Sequence, residues 1–363
     1  MERAIKAWMI EGTDPPTGFV DQGKMLKLSY TIYGILLLLP PSAFESTAWQ
    51  AVLQNESSNR VQRLYELVAI HMKVTHIAIT KPIPSVQANG HDRNVLRSPS
   101  NFQSLYGDFG PSVADSVPTQ QDLDKAFWVI VKQNGIFQTY APRWTMFSRG
   151  NIAEKARLIT LPSVINAVEQ GVMSGKGSTA VDLYAGIGYF AFSYLKAGVS
   201  KCLGWELNPW SVEGLEKGAR ANGWKANRIE KGSKIEEMAG RMTIFSESNE
   251  FAAARIAEMR ADLPPVRHVN CGLLPTSRDS WETAVDILDP GTGGWVHVHE
   301  NFGVREIEHK AKEVQLAFKA ILAEKTAFGE RVELANISRL KSYAPGVVHC
   351  VLDIYIPPCD SGL

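Results

Sequence analysis

The residue types and spacing that could do chemistry are concentrated in Asp182-Leu183-Tyr184-Ala185-Gly186-Ile187-Gly188 and in Glu206. An apolar stretch ends in an acid, a Gly-x-Gly follows, and a helical pattern then opens. Glycine at such a turn lets a ligand come close to the backbone, because no Cβ obstructs it. In a dinucleotide site the turn would face a pyrophosphate, but that fingerprint carries a third glycine, which this loop lacks. Asp182 would also repel a pyrophosphate, whereas it suits a ligand with an ammonium group. Glu206 lies 24 positions after Asp182 and ends the next strand, where a carboxylate can accept from both hydroxyls of a ribose. An ammonium, a sulfonium and a ribose in one molecule describe S-adenosylmethionine. The bland alternative is a tight turn with a surface glutamate. The strand, turn and helix context around Ala185, Gly186 and Gly188 argues against it.

Further candidates sit at the ends of later strands. A third strand should end near Phe245, which puts Ser248 and Asn249 at the carboxyl edge of the sheet. Asn249 could read an adenine edge, or either residue could cap the following helix. A fourth strand leads into Asn270-Cys271-Gly272-Leu273-Leu274-Pro275, a substrate-facing position in such folds, although Leu273 and Leu274 could equally be core. His297 and His299 alternate on one strand and share a face. With no third ligand nearby, they do not read as a metal site, and a place for His299, Glu300 or Asn301 beside the acceptor follows if the strand ends there. No residue stands out as a general base.

The elements that must position these residues fall into two regions. The division is drawn at residues 1–145, a smaller α+β domain, and 146–363, the catalytic domain. The first has a helix at Val61 to Met72, a strand at Thr75 to Thr80, and a hairpin of Phe127–Val131 with Ile136–Tyr140 about the Asn134-Gly135 turn. Residues 85–125, rich in Ser, Gly, Asn, Asp and Pro, read as a long loop. After residue 146, strands starting at Ala180, Cys202, Met242, Val266 and Trp295 alternate with helical stretches, which means a doubly wound, mostly parallel sheet. The chain closes with strands at Arg331–Leu334 and Val347–Ile354, antiparallel about Tyr343-Ala344-Pro345-Gly346.

Composition bounds the function. The chain has 363 residues, 45% of them hydrophobic, enough for a large core. Lys+Arg and Asp+Glu are both 38, a balance unlike that of a strongly basic nucleic-acid binder, though a local basic face is compatible with it. The richest positive run, Lys217 to Arg241, is diluted by Glu216, Glu230, Glu236 and Glu237 and reads as a solvated helix face. Cys202, Cys271, Cys350 and Cys359 are far apart and read as thiols in a reducing compartment. The longest apolar run, Ile35 to Leu39, is too short to span a bilayer, and the N-terminus lacks a signal-peptide pattern. A soluble cytosolic protein is the expectation, with no membrane and no obligate protein partner.

Taken together, four segments resemble a known family. They are Phe147-Ser148-Arg149-Gly150-Asn151-x-x-Glu154-Lys155-x-Arg157, Asp182 to Phe190, Glu206-x-Asn208-Pro209, and Asn270-x-Gly272-Leu273-Leu274-Pro275. They are similar to the tRNA wybutosine-synthesising protein 2 family. Asn94-Val95-Leu96-Arg97-Ser98-Pro99 and Leu105 to Gly110 are similar to its fungal members. The resemblance runs from about Thr75 to the C-terminus. It implies a class I methyltransferase-like Rossmann fold with an antiparallel last strand. It also implies transfer of the 3-amino-3-carboxypropyl group of S-adenosylmethionine, a co-substrate, to carbon 7 of 4-demethylwyosine in the anticodon loop of phenylalanine tRNA. From the spacing of the cysteines and histidines, no metal is expected.

By motif match, Ser148, Lys155, Asp182, Ala185, Gly186, Gly188, Glu206, Ser248, Asn249 and Asn270 would form the cofactor site, with Lys155 toward the cofactor carboxylate. Without the motif, Lys155 reads as an exposed helix lysine. Related guanosine methyltransferases carry an Arg where Gly150 stands and Asn-Leu-Pro where Leu273-Leu274-Pro275 stands, so both positions favour the aminocarboxypropyl branch. Ser248 replaces an acid often found there, and the tRNA-elbow domain of some relatives is not identifiable. The target base must leave its stack, and Trp205, Trp210, Trp295, Tyr189 and Phe190 are stacking candidates, although each reads more readily as core. Competing readings are a guanosine N1-methyltransferase on the same tRNA, a class I methyltransferase for a small molecule or protein, and a non-catalytic scaffold.

Overall fold

The computed structural model describes residues 1–11, 26–80, 94, 96, 97, 99, 102–112, 117–235 and 240–359. Val95 and Ser98 of the Asn94 segment, Glu236 and Glu237, and most of 85–101 lie outside the described residues. The chain divides into two units, Met1–Val131 with Tyr140–Phe147, and Lys132–Thr139 with Ser148–Leu363. The division therefore differs from one drawn at residue 145 chiefly in assigning 132–139 to the second unit.

The first unit is more regular than its sequence suggests. It contains α1 (Glu2–Ile10), β1 (Thr31–Tyr33), β2 (Leu36–Leu39), α2 (Thr47–Leu53), α3 (Ser58–Met72), β3 (His76–Ile79), β4 (Gln103–Tyr106) and α4 (Gln120–Lys125), with a four-stranded sheet in the order β1-β2-β3-β4. The apolar run at Leu36–Leu39 is an inner strand, parallel to β3. Its Leu37 and Leu39 pack with Ile5, Trp8, Trp49, Leu64 and Ile77 in one core. Residues 85–125 are not all loop, because β4 pairs with β3 and Thr119 with Asp122 forms a capping box that starts α4. β5 (Val129–Gln133) and β6 (Ile136–Tyr140) form the expected hairpin. Asn134 and Gly135 take φ of 53° and 75°, the left-handed pair that such a two-residue turn requires.

The second unit runs α5 (Ile152–Thr160), α6 (Pro162–Ser174), β7 (Thr179–Asp182), α7 (Ala191–Ala197), β8 (Lys201–Trp205), α8 (Pro209–Ala221), β9 (Ala226–Glu230), β10 (Met242–Ser246), α9 (Ala252–Met259), β11 (Val266–Cys271), α10 (Trp281–Ile287), β12 (Gly294–Gly303), α11 (Ile307–Lys325), β13 (Glu333–Ala344) and β14 (Val347–Ile356). The eight-stranded sheet has the order β13-β14-β12-β11-β7-β8-β10-β9, and β14 is antiparallel to β12 and β13. The fold is thus the α/β, mostly parallel class. β9 is absent from the sequence reading because an edge strand of composition Ala-Asn-Arg-Ile-Glu, with only Ile229 buried, carries no apolar run. β12 also continues to Gly303, past the expected end, because β14 pairs with it over its whole length.

One face of the sheet is apolar, with Val181, Val269, Val296 and Val298 packed against Ile256, Trp281 and Phe318 of α9, α10 and α11. The opposite face, under α5 to α8, mixes an apolar core with a buried polar chain. His268 Nδ1 lies 3.0 Å from His297 Nε2, and His297 Nδ1 lies 2.7 Å from Asp353 Oδ1. Arg157 of α5 donates two bonds to Asp353 and two to Glu154. Burial would lift the Asp353 carboxyl, but His297 and Arg157 hold it well below its ordinary range. Asp353, on the antiparallel strand, thereby ties α5 to the sheet.

Arg157→Met should destabilise the protein by about 3–5 kcal/mol, because Glu154 and Asp353 would stay buried without their cation. Urea unfolding measures this. Glu154→Gln/Arg157→Met/Asp353→Asn should lose less than the single variant, and an equal loss would mean that packing, not charge, dominates.

Candidate active site

From β7 the chain moves outward through β8 and β10, then returns on the other side of β7 through β11 and β12. The crevice of such a sheet lies beyond the carboxyl ends of the two strands where the order reverses. Here these are β7, which ends in Asp182, and β11, whose penultimate residue Asn270 is the cross-strand neighbour of Asp182.

Asp182 is fully buried. Its Oδ1 accepts from Tyr184 N at 3.2 Å and Asn270 Nδ2 at 3.1 Å, and its Oδ2 accepts from Ala191 N at 3.2 Å. Burial raises its carboxyl to about 6 against these three donors. The sequence reading gave Asp182 to a ligand ammonium. In the structure it receives the Asn270 side chain and two amides of the loop, and so fixes both ends of the turn. The Asn270 Oδ1 atom is buried with no hydrogen-bond partner among the described residues. It leaves an acceptor at the crevice that an ammonium would fit.

The glycines answer to the protein's own packing. Gly186 and Gly188 have φ of +54° and +87°. A Cβ on Gly188 would stand 2.6 Å from the Phe192 ring, and one on Gly186 would stand 3.0 Å from the Tyr189 ring. Gly186 N donates to Glu206 Oε2 at 2.8 Å, and Asn208 N donates to Oε1 at 2.7 Å. A carboxylate has about four acceptor sites, so it retains capacity for a further donor. Burial lifts the Glu206 carboxyl from the ordinary 4.5 to about 7, against the amides of Asn208, Gly186 and Leu207. Ala185 N donates to Trp205 O at 3.0 Å, which holds the loop against the end of β8. Asn208 caps α8 through Trp210 N, with Pro209 in the first turn as its sequence implies.

Lys155 is not an exposed helix lysine. It is 2% exposed, and its Nζ donates to Gln138 Oε1 at 3.0 Å and lies 5.4 Å from the centre of the Tyr189 ring. Burial lowers it to about 8. Tyr189 and Lys155 thus place a cation beside the glycine loop, and Gln138, which the sequence did not single out, orients it. Ser148 is half-buried and precedes the short 3-10 turn Arg149–Asn151, with no side-chain capping bond. Ser248 caps the turn at Asn249 by accepting from Glu250 N, as one of the alternatives had it. The Asn249 amide donates to Leu183 O at 2.9 Å, so it too braces the loop.

Trp205 and Trp210 are core, with Trp205 stacked on Phe245 at 4.3 Å between ring centres, and Phe190 is 3% exposed against His299. Leu273 and Leu274 are half-buried and belong to none of the core clusters. The positive run is no single helix face. Lys217 and Arg220 pair with Glu213 and Glu216 on α8, whereas Arg228 lies on β9, and Arg241 donates to Leu195 O and Val199 O. His297 and His299 bond to His268 and His349, and among the described residues no three His, Cys, Asp or Glu side chains converge as metal ligands. Among those residues, no helix is long and apolar enough to cross a membrane. All four cysteines are free thiols, three of them buried.

No family model matches the chain. A tRNA wybutosine-synthesizing protein 2 of Schizosaccharomyces pombe is 41% identical over 328 residues, 90% of this chain and 72% of the relative. The protein of the same name from Saccharomyces cerevisiae is 32% identical, over 91% of this chain and 74% of the relative. The crystal structure of P. horikoshii TYW2 in complex with MeSAdo superposes with a TM-score of 0.60 at 19% identity, covering 98% of both chains.

The raised Glu206 carboxyl has a consequence for stability. A group lifted from 4.5 to about 7 by folding contributes stability below about pH 4.5 that is lost as the pH rises through about 7. Glu206→Gln should therefore gain melting temperature relative to the unsubstituted protein between pH 5 and pH 8, as read by calorimetry at about those two values. A difference that does not change with pH would remove the shift.

Proposed function

The chain belongs to the tRNA wybutosine-synthesizing protein 2 family, and from that premise we propose that it transfers the 3-amino-3-carboxypropyl group of S-adenosylmethionine to carbon 7 of 4-demethylwyosine, beside the anticodon of phenylalanine tRNA. The observation that carries this reading, beyond family, is the complementarity at the switch point. The Asn270 Oδ1 acceptor suits the ammonium, Lys155 suits the carboxylate, and Glu206 suits the ribose hydroxyls. In this reading Ser148 and Lys155 face the amino acid end. Ala185, Gly186 and Gly188 form the floor, Asp182, Ser248 and Asn249 hold that floor in shape, and residues 1–145 contact the tRNA. The P. horikoshii relative is held with MeSAdo, the nucleoside left when the amino acid chain departs, which supports the same cofactor here. The free thiols agree with a reducing, cytoplasmic setting.

The sulfonium supplies carbons open to displacement, and the protein selects among them by position. Lys155 and Asn270 fix the amino acid chain, so that its γ-carbon faces the acceptor. The bond from carbon 7 to that carbon forms as the bond to sulfur breaks. Sulfur keeps the electron pair and leaves as methylthioadenosine, and the proton on carbon 7 is lost to water. Incubation of the enzyme with 4-demethylwyosine-bearing tRNA and carboxyl-labelled S-adenosylmethionine tests this directly. Label in the tRNA with methylthioadenosine released is expected. S-adenosylhomocysteine with no label in the tRNA would make it a methyltransferase.

Affinities separate the residue roles. Lys155→Met should weaken S-adenosylmethionine by about tenfold but leave methylthioadenosine, which has no carboxylate, nearly unchanged. Glu206→Ala should weaken both. Because Lys155 is lowered to about 8, S-adenosylmethionine binding should also fall as pH rises through that value, and the fall should vanish in Lys155→Met. Calorimetry reads all three, and equal losses for the two ligands in Lys155→Met would take Lys155 away from the carboxylate.

A further inference from the structure

Beyond the cofactor groups, a second row of polar side chains crosses the sheet nearer its carboxyl edge. Asn301 on β12 is the direct partner of His349 on β14, and His349 is the direct partner of Lys341 on β13. Directly opposed residues put their side chains on one face about 5 Å apart. Both amide atoms of Asn301 and the Nδ1 of His349 are buried, with no hydrogen-bond partner among the described residues. The Lys341 ammonium forms no hydrogen bond or ion pair among the described residues, although it is half-buried. His349 is 1% exposed, and its Nε2 is engaged by His299 Nδ1 at 3.0 Å. Burial, and then Lys341, push the His349 imidazole down to about 4, so it is neutral at physiological pH. Buried polar atoms in folded proteins are nearly always satisfied, and three adjacent exceptions mark a place where something else binds.

The surroundings place this row on the acceptor side of the crevice. The Asn301 amide nitrogen of the backbone donates to Pro275 O at 3.0 Å, which puts Asn301 next to the half-buried Leu273 and Leu274. His299 touches Phe190, just past the glycine loop, at 4.8 Å between ring centres. Gly150 clears the space at the far end, because a Cβ there would stand 2.4 Å from Lys341 Nζ. An ammonium offers only donors, an amide offers both kinds, and the free Nδ1 of His349 offers one donor or one acceptor according to the tautomer. A carboxylate or phosphate would use the ammonium but leave the amide acceptor unmet. The edge of a heteroaromatic base, with carbonyl and ring-nitrogen acceptors beside N–H donors, uses all three, and Leu273 and Leu274 offer its ring an apolar neighbour.

We propose that Asn301, His349 and Lys341 form the pocket that holds the acceptor nucleobase by its polar edge, with Gly150 keeping room for the Lys341 ammonium. This rests on the tRNA-transfer reading above and adds to it the residues that recognise the acceptor. The test uses the full chain, carboxyl-labelled S-adenosylmethionine, and two tRNAs, one bearing 4-demethylwyosine and one abasic at that nucleotide. Lys341→Met and Asn301→Ala should each lower the single-turnover rate by about tenfold or more, with affinities for S-adenosylmethionine and for the abasic tRNA unchanged. Gly150→Ala, which displaces the ammonium but keeps it, should lower the rate in the same direction. Undiminished rates in Lys341→Met and Asn301→Ala would overturn the pocket. So would a matching loss of S-adenosylmethionine affinity, which would assign Lys341 to the cofactor carboxylate, or a matching loss for abasic tRNA, which would assign it to the phosphate backbone. Absence of transfer by the unsubstituted protein would instead overturn the function reading on which the pocket rests.

Discussion

The Asp182 carboxylate, buried at the point where the strand order reverses, is the constraint on which the site depends. A single carboxylate gathers the Asn270 side chain and the amides of Tyr184 and Ala191. Three separate pieces of chain, the end of β7, the start of α7 and the end of β11, are thereby fixed against one another. Burying an acid is unfavourable unless donors converge on it, and here they do. The arrangement shapes the crevice before any ligand arrives, which is the condition for a reaction governed by which carbon faces the acceptor.

Glu206 makes the second tie, from the end of β8 to Gly186. Lys155 approaches from a different direction, on a helix that is not part of the alternating strand and helix pattern. Its position is secured two residues further on, where Arg157 meets Asp353 of β14. A residue near the C-terminus therefore helps to place a cation close to the glycine loop. The antiparallel last strand matters in another way, because pairing with it extends β12 to Gly303 and lines up Asn301, His349 and Lys341.

Much of the second unit was legible. Alternating apolar strands and amphipathic helices imply a doubly wound sheet, and Asp182, the two glycines and Glu206 were recognisable because strand-end acids and loop glycines lie close together in sequence. Less was legible in the first unit. Short strands such as Thr31–Tyr33 and Gln103–Tyr106 carry too few residues for a period, and the second pairs with β3 across a long intervening stretch of chain. β9 escaped notice because its polar composition suits an edge and reads as loop. The sequence singled out Asp182, but could not show that it also receives the Asn270 side chain and the loop's own amides, because those donors are brought to it by the turn and by strand register.

The sequence by itself determined the fold class, the family and the strand-end loop for which the cofactor site is proposed. Those rest on local periodicity and on motifs whose residues act within about a turn of one another. Only the tertiary structure decided that Lys155 is buried beside Tyr189, that the Asn270 Oδ1 is buried with no hydrogen-bond partner among the described residues, and that His349 and Lys341 stand beside Asn301. Each depends on strand register and helix placement between segments dozens to hundreds of residues apart. A shift of one residue in that register would send every such side chain to the opposite face of the sheet.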